Sequence, residues 1–225
     1  TVTIICQPTL DISIQSIRQF LPFARINGYM PNATLAKCDA LTGSKITWYD
    51  FKPANPEVKD QYSHLYWYSV FMTNPLLWKS LSTPLVLVFQ ADTLLCKPPD
   101  LKSFEANHYT YIGGPSLHYR SKRTRVPWKN MHRPLHSFLN GGIALHRREW
   151  TLKCAESMTG VSLNEDAKWN RCRPTEVTAL DALSFGSDNG FTGCFTYHGE
   201  RRCPSAVHKA WVSAIRMRYH EMERN

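Results

Sequence analysis

The stretch TPLVLVFQADT, residues 83–93, decides how the chain is read. Thr83–Gln90 (TPLVLVFQ) is a nearly continuous apolar run, as expected of a central strand buried on both faces within an α/β sheet. The run stops at Gln90-Ala91-Asp92. A carboxylate is costly to bury without a partner. In open α/β sheets, ligands bind beyond the carboxyl ends of the strands. Asp92 is therefore a candidate binding residue, and its bland alternative is a turn or helix cap.

Working outward, Asp60–Leu81 has helical spacing through Leu65, Tyr66, Ser69 and Met72, and Asn74-Pro75 divides it into one or two helices. Thr1–Cys6 (TVTIIC) reads as a core strand. Asp11 is the expected N-cap of a helix carrying Ile14, Ile17, Phe20 and Leu21. Lys45–Phe51 is a candidate second strand. Downstream, His108–Gly113 is expected to be a strand, Phe138–His146 a loop with Asn140-Gly141-Gly142 leading into a short strand, and Val207–Met222 a helix. Ser116–Asn140 carries Arg120, Lys122, Arg123, Arg125, Lys129 and Arg133 with no acidic residue, and reads as a basic surface loop at about 116–137. No repeat or composition break divides the chain, so residues 1–225 are expected to form a single domain.

The composition is that of a globular protein: 43% hydrophobic, 20% charged and 12% aromatic residues, too apolar for disorder. No apolar run reaches the ~18–20 residues that would span a bilayer. The chain opens directly in a strand pattern, which suggests a trimmed protein. The net charge of +9 suits an anionic partner: nucleic acid, anionic lipid or a small phosphorylated ligand. No nucleic-acid-binding signature accompanies it, so no nucleic acid is expected as partner, although a basic nucleic-acid-binding domain stays as an alternative. The seven cysteines are too irregular for a small disulfide scaffold. Cys194 and Cys203 could pair in an oxidising compartment such as the Golgi or secretory lumen. With His198 and His208 they could instead form a zinc site, and reduced thiols would leave a cytoplasmic location open.

The ordered set of motifs resembles a glycosyltransferase-like domain-of-unknown-function family, DUF5672. It comprises YSVFMTNPLLWKSL (68–81), LVFQADTLLC (87–96), YTYIGGP (109–115), FLNGGIALHRRE (138–149), LNEDAKW (163–169), ALSFGSDNGF (182–191) and HKAW (208–211). The resemblance spans roughly residues 65–212. It implies an α/β, Rossmann-like nucleotide-diphospho-sugar transferase fold (GT-A), with a mixed central sheet flanked by helices. It also implies transfer of a sugar from a nucleotide sugar, with UDP-hexose the first expectation, to a glycan, protein or small-molecule acceptor. The cofactor would be Mn2+ or Mg2+, since hard oxygen ligands and substrate phosphates suit such cations.

Carried onto this chain, the resemblance makes Asp92 and His208 metal ligands. The aspartate-x-aspartate pattern expected there reads Gln90-Ala91-Asp92, so its first carboxylate is absent. This keeps a catalytically inactive sugar- or nucleotide-binding protein open as an alternative. Asn140, Gly141 and Gly142 would line the donor and acceptor side, where glycine allows close backbone approach; the alternative is a plain turn. Glu165 and Asp166 are the candidate general base of an inverting transfer, with Glu176 and Asp181 as rivals. Gln7, beside Cys6 and Pro8, would meet the nucleotide, Tyr68 would stack on its base, and Gln90 would contact the donor. Arg120 and its basic loop would close over the diphosphate, or remain a solvated loop.

Overall fold

The computed structural model describes residues 9–30, 46–50, 63–90, 92–115, 139–160, 164–172, 177–187, 195–198 and 200–208. The expected strand at 1–6, Gln7, the basic loop with Arg120, Glu176, and Cys194 lie outside them.

The first element is α1 (Thr9–Phe20), whose Leu10, Ile14 and Ile17 form one buried face. Asp11 lies inside its first turn, so the expected cap position is corrected. Next come β1 (Asn27–Met30) and β2 (Thr47–Asp50), paired in parallel. The predicted helical stretch is two helices, α2 (Ser63–Met72) and α3 (Pro75–Ser80). Asn74 separates them by accepting a hydrogen bond from Leu76 N at 2.9 Å, and Pro75 occupies the first helical position, where its missing N–H costs nothing.

The decisive run forms β3 (Leu85–Phe89), followed after the turn at Asp92 by β4 (Thr93–Leu95). Helix α4 (Leu101–Ala106) leads to β5 (Tyr111–Pro115). The nine-residue β6 (Leu139–Arg147) runs without a break into α5 (Arg148–Ser157). Asn140, Gly141 and Gly142 therefore lie within a strand and not in the expected loop. Then follow α6 (Glu165–Cys172), α7 (Ala179–Phe185), β7 (Gly186–Ser187), β8 (Phe195–Tyr197), β9 (Glu200–Arg202) and β10 (Ala206–His208). Val207 and His208 are extended, which corrects the helix expected from Val207 onward; the rest of that tail lies outside the described residues.

Two three-stranded sheets carry the centre. One has the antiparallel order β3-β6-β5; the other has the order β4-β10-β7, with β10 antiparallel to β4 and parallel to β7. The β5–β6 ladder jumps from Gly113↔Ala144 to Gly114↔Asn140, so residues 141–143 bulge out of the pairing with β5. On the β3 side of β6, the Gly142 carbonyl accepts from Gln90 N at 2.9 Å, one step beyond the Phe89↔Ile143 pair, and from Thr93 Oγ1 at 3.0 Å. The turn bearing Asp92 is thus suspended from β6.

Behind β6, His146 packs among Trp78, Tyr111 and Trp169, with ring centroids 4.8–5.8 Å apart. All four side chains are essentially inaccessible. Burial holds the His146 pKa down at about 3, so the ring is neutral, and Nδ1 lies 3.2 Å from Thr151 Oγ1. Cys154 and Cys172 form a disulfide that ties α5 to α6, a pairing the sequence reading did not anticipate. Cys203 is also disulfide-bonded, which removes it from the zinc alternative.

Candidate functional site

The site is assembled where β3, β4, β6 and β10 meet the start of α6. Antiparallel pairing of β10 with β4 sets His208 opposite Thr93, beside the turn that follows β3. His208 is 3% exposed, and its Nε2 lies 3.4 Å from Asp92 Oδ1 and 2.9 Å from Gln90 Oε1. Asp92 is about half-buried, so its carboxylate is shared between this contact and solvent.

Gly141 and Gly142 join this group to the acidic pair. A Cβ at Gly142 would stand within 2.5 Å of the His208 ring, and one at Gly141 would stand 2.5 Å from Asp166 Oδ1. A side chain at Gly142 would displace the His208 ring and one at Gly141 would push the Asp166 carboxylate aside, which gives the Asn-Gly-Gly motif a physical reason. Gly141 N donates to Asp166 Oδ1 at 2.6 Å, and Gly142 N donates to Asn140 Oδ1 at 2.7 Å. Asn170, one turn along α6 from Asp166, exchanges hydrogen bonds with the backbone of Leu139 at 2.9 and 3.1 Å, fastening that helix to β6.

Helix α6 begins at the acidic pair because Asn164 accepts from Ala167 N at 2.8 Å and acidic residues suit the first turn of a helix. Its two carboxylates have different surroundings. Glu165 is buried and accepts from the Ser69 hydroxyl of α2; burial raises its pKa, and that hydrogen bond offsets part of the rise. Asp166 is half-buried and faces the glycines. Of the pair, Asp166 is the more accessible.

Tyr68 is 4% exposed, so its ring has no face free for a nucleotide base. Its hydroxyl is buried and has no formed hydrogen bond. Burial first, then the nearby Glu165, Asp166 and Asp92 carboxylates, raise its pKa well above the ordinary tyrosine value. Gln90 approaches the hydroxyl and lowers that pKa somewhat, but not in the geometry of a completed bond. One phenol oxygen therefore senses both halves of the site.

The rival Asp181 sits elsewhere. It accepts from Tyr109 at 2.6 Å and Thr178 at 2.7 Å, and it lines a separate hollow of about 390 Å³ with Lys97 and Arg202. The sequence reading missed the polar seam between α2 and α6, formed by Ser69 with Glu165 and by Lys168 Nζ with Thr73 Oγ1 at 3.3 Å. Polar residues at 69, 73, 165 and 168 on two otherwise packed helix faces were its only signal.

A divalent cation fits this donor set. A carboxylate oxygen, an imidazole nitrogen and an amide oxygen converge, and substrate phosphates can complete a hard-ligand shell.

A family model described as a protein of unknown function (DUF5672) matches residues 54–208. No curated protein matches the chain in sequence. Among solved structures, an active-site mutant of LgtC is similar with a TM-score of 0.53 and 13% identity, over 92% of this chain and 85% of that one. The galactosyltransferase LgtC in complex with donor and acceptor sugar analogues gives 0.50 at 13% identity over the same shares. The apo structure of the bifunctional glycosyltransferase WbbM gives 0.54 at 11% identity, over 93% of this chain and 45% of that one. At these identities the likeness establishes the GT-A fold.

Proposed function

The chain belongs to the DUF5672 family and has the GT-A fold; from that premise we propose that it is a metal-dependent glycosyltransferase. It moves a sugar, in the first instance a hexose from its UDP derivative, to an acceptor hydroxyl with inversion. The 225 residues act as one catalytic domain. The observation that carries this reading is the placement of Asp166 against Gly141 and of His208, 3.4 Å from Asp92, against Gly142, two adjacent glycines of one strand.

In this reading Asp92 and His208 hold Mn2+ or Mg2+, and the cation, when bound, neutralises charge on the nucleotide diphosphate leaving group. The rest is the work of the chain. Asp166 accepts the proton of the acceptor hydroxyl as its oxygen bonds to the anomeric carbon. The bond from that carbon to the diphosphate breaks, and the diphosphate leaves with the electron pair. The N–H of Gly141 holds the Asp166 carboxylate in place. Gly141 and Gly142 keep the floor of the site free of side chains, and Gln90, Asn140 and the Tyr68 hydroxyl border it. The position of Glu165 beneath the surface makes it a structural partner of Ser69 and leaves the proton transfer to Asp166. The paired cysteines favour an oxidising compartment.

The test is thermal stabilisation by a panel of nucleoside diphosphates with and without Mn2+, followed by donor turnover. Saturation at ~100 times Kd adds about 2.7 kcal/mol. A shift seen with one nucleotide only when Mn2+ is present, and lost in Asp92→Ala, supports the reading. No shift with any nucleotide removes it. Binding without turnover of any nucleotide sugar would instead favour an inactive binding protein.

A further inference from the structure

The hollow that holds Asp181 is built apart from the transfer site. Strand β10 runs antiparallel to β4, with His208 opposite Thr93 at one end and Ala206 opposite Leu95 at the other. Ser205, the residue before β10, lines the hollow. At about 3.3 Å per residue it lies about 10 Å along the strand from His208. Hydrogen bonds tie the walls together. The Ser205 carbonyl accepts from Cys96 N at 2.7 Å and from Lys97 N at 3.3 Å, Ser205 N donates to the Ser184 carbonyl at 2.8 Å, and Ser205 Oγ donates to the Pro98 carbonyl at 3.3 Å. Asp100 caps α4 by accepting from Ser103 N at 2.9 Å. The space of about 390 Å³ is therefore preformed. It falls within the roughly 300–1,000 Å³ of small-molecule sites.

Three of its polar groups keep bonding capacity. The Ser184 hydroxyl oxygen is buried and has no hydrogen-bond partner. Buried polar groups are nearly always satisfied, so this one calls for a partner. Asp181 uses Oδ2 for both Tyr109 and Thr178, which leaves Oδ1 as an oriented acceptor. Lys97 is exposed, and its ammonium group is in no ion pair among the described residues. Phe104, Ile112 and Phe185 supply apolar wall. The charges around the hollow cancel, Asp100 and Asp181 against Lys97 and Arg202, and Arg202 is already paired with Glu200 at 3.0 Å. An anion would meet two carboxylates here, and a cation would meet two basic side chains. A saccharide meets neither obstacle. Each of its hydroxyls both donates and accepts, so it can give a proton to a carboxylate oxygen and take one from a hydroxyl or an ammonium group.

We propose that this hollow is a second ligand site, which binds an uncharged saccharide through Asp181 Oδ1, the Ser184 hydroxyl and the Lys97 ammonium group. The apolar wall receives the C–H face of the sugar ring. The site uses none of the residues assigned to the cation, the donor or proton transfer, and it stands whether or not the chain transfers a sugar.

The experiment is a set of saturation-transfer difference NMR titrations with galactose, glucose, xylose, N-acetylglucosamine and lactose, without nucleotide or metal. Wild type is expected to bind at least one of them. Ser184→Ala removes only an unsatisfied oxygen and should weaken that Kd about 2–10-fold, the scale of one neutral hydrogen bond. Asp181→Asn is nearly isosteric and keeps an oxygen for Tyr109 and Thr178; it should weaken the Kd about tenfold or more, because a charged acceptor is lost. Asp92→Ala and Asp166→Asn should bind the sugar as wild type does. Melting temperatures, read in parallel, confirm folding. The proposal is overturned if no saccharide binds, if neither hollow variant weakens binding, or if Asp92→Ala or Asp166→Asn abolishes it. Binding of inorganic phosphate alone, lost in Lys97→Ala, would also overturn it and make the hollow an anion site.

Discussion

Gly142→Ala adds one methyl group at the point where β6 meets His208. The new carbon would stand 2.3 Å from His208 Cε1, 2.4 Å from Nε2 and 2.5 Å from Nδ1, whereas ordinary contact begins at 3.4 Å. The ring is 3% exposed and held by Gln90, and its strand is registered against β4, so it has little room to swing aside. It must give way by about 1 Å. Overpacking of this kind costs about 1–3 kcal/mol. For a chain of 225 residues each kcal/mol is worth about 2–4 °C in Tm, so the unliganded variant should melt a few degrees lower. The functional effect should be larger. A displacement of about 1 Å in a positioned group can cost about 100-fold, and the Mn2+-dependent shift with UDP, worth about 2.7 kcal/mol near saturation in wild type, should vanish. Gly141→Ala is the companion variant, because its added carbon would strike Asp166 Oδ1 at 2.5 Å and leave the His208 ring alone. It should keep the Mn2+-dependent shift and lose turnover. Differential scanning fluorimetry separates the two. A Gly142→Ala protein that keeps the full shift would refute the placement of His208 at the cation.

Three further outcomes are expected. Asp166→Asn should lower the turnover number by about 10²–10⁴-fold while leaving UDP affinity in Mn2+ unchanged; equal loss of both would make Asp166 a binding residue. His146, neutral and with its pKa held at about 3, must stay unprotonated in the folded state, whereas the unfolded chain takes up the proton near pH 6.5. Its contribution is therefore complete above pH 6.5 and is lost as pH falls toward 3, by up to about 1.4 kcal/mol per pH unit. Glu165, with a raised pKa, acts in the opposite sense, losing stability as pH rises above its ordinary range. Urea unfolding from pH 4 to 6 should thus show a shallower pH slope in His146→Gln than in wild type, since Glu165 is common to both. Cys154→Ser removes a bridge between residues 18 apart and should cost about 3 kcal/mol in equilibrium unfolding; a much smaller loss would show that packing alone joins α5 to α6.

The strands and the site differ in how well they can be read from sequence. The run ending at Phe89 and the Asn74-Pro75 break are local signals, and both elements fall where expected. Asp92, Asn140 to Gly142, Asp166 and His208 belong to distant motifs, and only the resemblance to a family grouped them before the structure did. The Asn-Gly-Gly segment was misjudged because glycines ordinarily punctuate loops. Here they lie in a strand, since a bulge frees them from β5 and two neighbouring side chains occupy the space a Cβ would need. The tail from Val207 onward reads as a helix in sequence, whereas His208 lies in a strand. A three-residue strand carries too little periodicity to outweigh the helical pattern beyond it. The Cys154–Cys172 bridge was missed because the pairing depends on the packing of α5 against α6, which spacing does not encode. The polar seam of Ser69, Thr73, Glu165 and Lys168 escaped for a similar reason: its contacts join residues about 95 apart, which spacing does not encode.

The two glycines of β6 also bear on how this site can diverge. Each occupies a volume already claimed by a functional side chain on another element, Asp166 in one case and His208 in the other. The identities at 141 and 166, and at 142 and 208, are therefore joint choices. A relative that carries alanine at the position of Gly142 would have to displace a histidine at the position of His208 by about 1 Å or carry a smaller residue there. New substrate preferences are consequently easier to reach from the border of the site than from its floor.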